Sequence, residues 1–376
     1  MQNRIVALDS LRGLAACAIA LLHLPFTVSS HLIDWVNIEN LWLYTDFFFA
    51  LSGYVIAASY QQRLQAGMSG LRFLLLRYGR LAPLHLAVML AFILRGGLLE
   101  ALASAGVPRI PPQFQAEDLR RIVCYVGMMQ GFPQLIYGEW NFPSWTISAE
   151  FCAYILFNGL VAFCGRRLLA GLAATALLSS ASYATLLAQP GVPYLDLYIE
   201  FGVLRAIGVF SIGAIVWNLQ RLGRLPTHAM LEPGVVLLVT GVVVLCSQLT
   251  VLLVSPYLCA LLVWVFAQEA GPVSLLLRKQ PFRLLGMHSY SIYMTHVVLY
   301  QLAWDALTGA RHFLGVGPDL RVALVSEPWS GDLLVLAVLA GVLCVSMATR
   351  RFIEQPAREW FRGLAGVRPV PARALA

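Results

Sequence analysis

Charge is what this sequence has least of. Only 12% of its 376 residues are charged, and Lys279 is the single lysine among 26 basic side chains. With 59% hydrophobic residues and a mean hydropathy of +0.74, the chain lies outside the range of water-soluble domains. Paired cysteines are missing as well. The seven, at 17, 124, 152, 164, 246, 259 and 344, sit mostly inside apolar runs with no close pair, so neither a disulfide framework nor a metal-ligand spacing is expected. There is no repeat of about 20 to 50 residues, and the two halves show no inverted correspondence, which weighs against the common transporter repeats. The formal charge of +7 is spread over short connections and forms no basic patch, so no nucleic-acid partner is expected.

What the sequence does have is a succession of apolar runs of about 18 residues or more, each long enough to cross a hydrocarbon core roughly 30 Å thick as a helix. The expectation is an all-α, polytopic membrane helical bundle of about ten transmembrane helices, at 12–30, 43–60, 81–96, 146–165, 168–188, 203–219, 233–254, 256–271, 284–305 and 331–349. The N-terminal run is read as an uncleaved first span rather than a signal peptide. With both termini cytoplasmic, most of the 26 basic residues fall inside, as positively charged loops prefer. An eleventh span at "IVCYVGMMQGF", 122–132, would place Arg166, Arg167, Arg278, Lys279, Arg283, Arg350 and Arg351 outside. Residues 97–145 are therefore expected to be an outer connection with a short embedded helix, allowed only where protein or a wet cavity satisfies its backbone. Residues 1–362 form the expected membrane domain. Residues 363–376 are expected to form a disordered cytoplasmic tail, and the stretch after Arg350 is expected to be too short for an attached soluble domain.

Five polar constellations interrupt the apolar runs. In "LDSLRGLAACAIALLHLPF", Arg12 and His23 are 11 residues apart, which leaves them about 20° from alignment on one helix face and about 16.5 Å apart along it. Ionisable groups at such depth are costly and mark functional sites. "TDFFFALSGYVIA" brings Asp46, Ser52 and Tyr54, with Gly53 permitting close helix approach. "LRFLLLRYGRLAPLH" clusters Arg72, Arg77 and Arg80, whose guanidinium groups suit phosphate oxygens. "NFPSWTISAEF" offers Ser144 as a helix cap and Glu150 one to two turns further in. "HSYSIYMTHVVLY" places Ser289, Tyr293, His296 and Tyr300 within about 40° of one another on a helical projection. His23 and His296 fall at similar depth, which points to a shared buried cavity.

Taken in order, "LDSLRGLAA", "FFFALSGYVIA", "RYGRLAP", "PSWTISAEF", "RAIGVFSIG", "SYSIYMTH" and "RRFIEQPAR" resemble the acyltransferase family 3 membrane proteins, which include bacterial O-antigen acetylases. The resemblance runs nearly the whole chain, with "WTISAE" a mild departure. It implies an O-acyltransferase of the bacterial cytoplasmic (inner) membrane that takes an acyl group, commonly acetyl, from cytoplasmic acyl-CoA and delivers it to a hydroxyl of a cell-surface carbohydrate or lipid-linked glycan. It also implies that Arg12 and His23 are essential and that Arg77 and Arg80 matter at the cytoplasmic side. On that basis His23 and Glu150 are the expected catalytic residues; Arg12, Arg77 and Arg80 are expected to hold acetyl-CoA, with no metal. Asp46, Ser52, Tyr54, Ser289, Tyr293 and His296 are the expected acceptor-side groups. Two rivals remain at this level: a secondary transporter or exporter, since buried Arg, His, Asp and Glu also line transport paths, and an acyltransferase acting on a small secreted metabolite.

Overall fold

The structure, a computed structural model, describes residues 5–24, 29–31, 38–106, 118–132, 140–189, 200–223, 228–314 and 327–366, with side chains of 307–314 excepted. Among the described residues all regular structure is helical. The main helices are α1 (Val6–Leu22), α2 (Leu43–Ile56), α3 (Gly70–Ser104), α4 (Asp118–Val126), α5 (Trp145–Cys164), α6 (Leu168–Leu187), α7 (Gly202–Arg221), α8 (Leu231–Leu245), α9 (Gln248–Phe266), α10 (Pro272–Leu277), α11 (Gln280–Leu314), α12 (Pro328–Thr349) and α13 (Gln355–Leu364). Among the described residues six helical stretches, Glu39–Gln65, Gly70–Ser104, Phe142–Leu187, Gly202–Arg221, Gln248–Phe266 and Pro328–Leu364, are long and apolar enough to cross a membrane. The third of these contains α5 and α6, which meet at a turn where Gly165 adopts φ 51°.

Each segment expected to span overlaps a helix among the described residues, but several bounds differ. The first helix stops at Leu22, leaving His23 as its C-cap rather than a mid-helix residue. Pro25, two residues on, is the sequence signal for that stop. The break expected before Pro256 falls instead at Cys246–Ser247, where the Ser247 side chain accepts from Thr250 N at 3.3 Å and caps α9. Pro256 lies inside α9. The carbonyl it leaves without an amide partner, Leu252 O, accepts from Arg205 Nη2 at 2.8 Å. Arg72, Arg77 and Arg80 stand on the first turns of α3 itself rather than before a span. The tail at 367–376, two parts of the 97–145 connection at 107–117 and 133–139, and the stretch 315–326 lie outside the described residues.

Two close crossings fix the bundle around the site. α1 packs along α11, and a Cβ on Gly13 would stand 2.3 Å from the Leu285 carbonyl carbon. α2 packs along α7 through Gly53 and Gly213; a Cβ on either would come within 1.9 Å of a carbonyl oxygen across the contact, Phe210 O and Ala50 O respectively. The close approach read from Gly53 is thus present, and it is reciprocal. The first crossing aligns Arg12 and His23 with α11, while the second carries Ser52 toward α5.

Within 97–145 the described residues include the end of α3 and the short helix α4, which is followed by a tight reversal at Met128, with φ 57°. Its last carbonyls are taken by side chains of the bundle. Tyr78 OH donates to Val126 O at 2.9 Å, Ser148 Oγ donates to Met128 O at 2.7 Å, and His85 Nε2 lies 3.2 Å from Tyr125 O. Partners of this kind are what non-spanning backbone needs wherever water is excluded. The Ser144 cap expected for α5 is not made by its side chain. A 3₁₀ turn, Phe142–Ser144, runs straight into the helix, and Ser144 already has helical φ/ψ of −69° and −11°. Its hydroxyl consequently does not swing back to a free amide. Thr146 Oγ1 instead bonds Pro143 O at 2.9 Å.

Candidate functional site

Two cavities lie end to end between α1, α2, α5 and α11. The first, of about 140 Å³, is lined by Arg12, Arg77 and Arg80 together with Ser52, Glu150, Tyr154, Ser289 and Tyr290. The second, of about 390 Å³, is lined by His23, Trp42, Phe142, Trp145, Glu39 and Gln248. Tyr293 lines both. Its hydroxyl donates to Pro143 O at 3.0 Å and lies 2.9 Å from Thr146 Oγ1, so the ring shared by the cavities is held against the start of α5.

The arginine-lined cavity is a cluster of opposed charges. Arg12 Nε donates to Ser289 Oγ at 2.8 Å, while its Nη2 pairs with Asp9 at 2.9 Å. Arg80 pairs with buried Glu354 and lies over the Tyr290 ring, 4.9 Å from its centroid. Ser291 donates to the other Glu354 oxygen at 3.0 Å. Arg77 donates to Tyr60 OH at 2.7 Å, with its guanidinium 4.7 Å from the ring centroid. Among the described residues Arg77 has no carboxylate within ion-pair reach, which makes it the cation best disposed toward an incoming anion. Across the cavity, Glu150 accepts from Ser52 Oγ at 2.5 Å and from Tyr154 OH.

The histidine-lined cavity is quieter electrically. His23 Nδ1 lies 2.9 Å from His296 Nε2, their rings nearly parallel at 10°. Phe142 stands edge-on to His23 at 4.6 Å, and Tyr300, whose hydroxyl donates to Ala20 O at 2.6 Å, packs edge-on to His296. The helix end at Leu22 matters here, because a C-cap residue is free to turn its ring into the cavity. When Nδ1–H of His23 is donated to His296, its Nε2 is a bare acceptor.

The structure therefore brings together most of the residues singled out from sequence. Arg12, Ser52, Arg77, Arg80, Glu150 and Ser289 share the first cavity, His23 lines the second, Tyr293 joins them, and His296 backs His23. Glu150 sits among the arginines rather than on the imidazole. Asp46 and Tyr54 line neither cavity. Asp46 is fully buried in a bidentate pair with Arg205, at 3.0 and 2.6 Å, and Tyr54 OH donates to Gln220 at 2.8 Å. Sequence reasoning missed Glu354, Tyr154, Tyr290, Arg205 and Phe142. Glu354 and Arg205 stand inside the quoted stretches "RRFIEQPAR" and "RAIGVFSIG", so a signal was present, although their partners are distant in sequence.

A family model described as an acyltransferase domain matches residues 5–351. No curated protein and no solved structure matches the chain.

Proposed function

The chain belongs to acyltransferase family 3, and is a membrane acyltransferase on that account; from this premise we propose that it moves an acyl group, acetyl in the first instance, from cytoplasmic acyl-CoA to a hydroxyl of an exported or cell-surface carbohydrate. The observation that carries this reading is the pair of cavities meeting at Tyr293, cationic on one side and imidazole-bearing on the other. Such an arrangement suits a phosphorylated donor that enters from one compartment and a neutral hydroxyl acceptor that enters from the other. The proposed topology has ten spans, α1 to α3, α5 to α9, α11 and α12, with both termini in the cytoplasm of a bacterial inner membrane. The arginine-lined cavity then opens inward.

In the proposed reaction Arg77, with Arg12 and Arg80 beside it, holds the phosphates of the coenzyme by charge-assisted hydrogen bonds. The pantetheine arm runs along α1, over the roughly 16.5 Å that separate Arg12 from His23, and brings the thioester past Tyr293. His23 Nε2 takes the proton of the acceptor hydroxyl as its oxygen attacks the thioester carbonyl. The C–O bond of the ester forms, the C–S bond breaks, and the coenzyme thiolate leaves with the proton returned from the imidazole. His296 fixes the tautomer and ring plane of His23 through the 2.9 Å contact. Glu150, held by Ser52 and Tyr154, balances charge around the arginines.

Mass spectrometry of surface glycans and secreted metabolites from cells with and without the gene tests the reading. A glycan that loses an acetyl mass in the deletion supports it. A set of acylated glycans and metabolites that is identical in both strains contradicts it.

A further inference from the structure

We infer that α13 is an interfacial helix with a binding site for an anionic phospholipid, Trp360 and Leu364 seated among the acyl chains and Arg358 and Arg362 on the headgroup phosphate. The inference goes beyond acyl transfer, and its test needs neither donor nor acceptor.

The pattern of α13 divides it lengthwise. At 100° per residue Ala357, Trp360, Phe361 and Leu364 fall within an arc of about 100°, while Gln355, Arg358, Glu359 and Arg362 fall outside it. The protein uses one edge of that arc. Phe361 sits on α3, where a Cβ on Gly79 would come within 2.3 Å of its side chain, and the Tyr78 ring stands 6.0 Å from it between centroids. The other edge is bare, with Trp360 61% and Leu364 56% exposed. A basic helix that shows an indole and a leucine to its surroundings is the pattern of a segment lying in a membrane surface. In the proposed topology α12 ends at Thr349, which brings α13 to the level of the cytoplasmic headgroups.

The helix is held in that posture at both ends. A π-helical turn, Arg350–Glu354, leads in from α12; there Arg350 donates to Met287 O, and Glu354 pairs with Arg80 and accepts from Ser291 Oγ at 3.0 Å. At the far end Arg72 Nη2 donates to Gly366 O at 3.1 Å, where Gly366 turns the chain with φ 62°. A swing that hid Trp360 in the bundle would break these contacts, so the bare edge is a fixed feature of the surface.

Charge selects the occupant. Residues 350–362 carry four arginines against two glutamates, and one of the two, Glu354, is buried and already paired with Arg80. Arg77, Arg80 and Arg362 all oppose the charge on Arg358, whose contact with Glu354 is a long 3.5 Å. Among the described residues Arg362 has no carboxylate within ion-pair reach, exposed Glu359 one turn before it included. Guanidinium groups gathered with so little countercharge are relieved by an anion and suit phosphate oxygens in particular. The bare Trp360 and Leu364 edge requires that this anion also carry an apolar part. An anionic phospholipid has both; a soluble phosphate lacks the chains, and a zwitterionic lipid lacks the net charge.

The test uses the full chain in lipid nanodiscs and two probes. In the first, phosphatidylcholine or phosphatidylglycerol bearing a diazirine is photolysed and the labelled peptides are mapped by mass spectrometry. The peptide containing Trp360 and Leu364 is expected to be labelled more strongly by phosphatidylglycerol. Its yield is expected to fall about fivefold in Arg362→Gln, the equivalent of about 1 kcal/mol for one arginine near an anionic surface, and to be largely kept in Arg362→Lys. Excess inorganic phosphate is expected to leave it unchanged. In the second, brominated acyl chains are expected to quench the part of the tryptophan emission that is missing in Trp360→Phe, a substitution at an exposed position that leaves the fold intact. The inference is overturned if the two lipids label that peptide equally, if Arg362→Gln changes nothing, or if inorganic phosphate suppresses the labelling. It is overturned as well if the Trp360 emission escapes quenching, which would place the indole in water or against another protein.

Discussion

At the scale of single residues, the account turns on which groups are already satisfied. Arg12 has Asp9 and Arg80 has Glu354, whereas among the described residues Arg77 has a phenol and an aromatic face and no carboxylate within ion-pair reach. Arg77→Gln is therefore expected to raise KM for acetyl-CoA by about 10- to 100-fold, the equivalent of roughly 1.5–3 kcal/mol for a hydrogen bond to a charged group, with a smaller effect on kcat. Steady-state kinetics on purified protein checks this. Arg80→Gln is expected to differ in kind, since it takes from buried Glu354 its closer cation, leaving Arg358 at 3.5 Å, and lowers thermal stability as well as donor affinity. His296 acts through His23. His296→Asn is expected to lower kcat about 10²-fold and to move the midpoint of the pH–rate profile, leaving KM for the donor near its native value; an unmoved profile would reduce His296 to packing. The arginines and both histidines were legible in the sequence because an ionisable group on an apolar run stands out by itself. Glu354 and Arg205 were not, because what gives them meaning is a partner 274 and 159 positions away.

At the scale of helices, the sequence specified the apolar segments well and their ends poorly. Hydrophobic length marks a span, but the end of a helix is decided by local chemistry: Pro25 after α1, Ser247 at the start of α9, and a 3₁₀ turn leading into α5. Pro256 was misread as a boundary because its freed carbonyl finds Arg205 from another helix, a contact that no local pattern reveals. The crossings make a sharper prediction. Gly53→Val or Gly213→Val forces α2 and α7 apart and is expected to cost about 1–3 kcal/mol or more, read as a lower melting temperature in detergent. Asp46→Leu alone leaves Arg205 buried and unpaired, at an expected cost of about 3–5 kcal/mol. The double variant Asp46→Leu/Arg205→Met is expected to recover most of that loss, because two apolar side chains need no partners.

At the scale of the whole molecule, the proposed reaction has its two halves on opposite sides of the membrane, and the two cavities lie toward the Arg12 and His23 ends of α1. The proposed orientation predicts that a membrane-impermeant maleimide on intact cells labels Ala105→Cys and Gln189→Cys but not Ala66→Cys or Leu222→Cys, in a background with Cys344 replaced. The reverse pattern would turn the arginine-lined cavity outward, away from coenzyme A. The family, the helical class and the cluster of site residues were all legible from motif order and depth; the division into two cavities was not, because it depends on where Tyr293 stands between α5 and α11. The central claim is that His23 is the point of transfer. Its most direct test is release of coenzyme thiol from acetyl-CoA by the full chain in nanodiscs, native against His23→Ala, with both preparations matched for insertion and melting temperature. The account predicts steady thiol release by the native protein and a loss of at least 10²-fold in His23→Ala. Equal release from the two would contradict it.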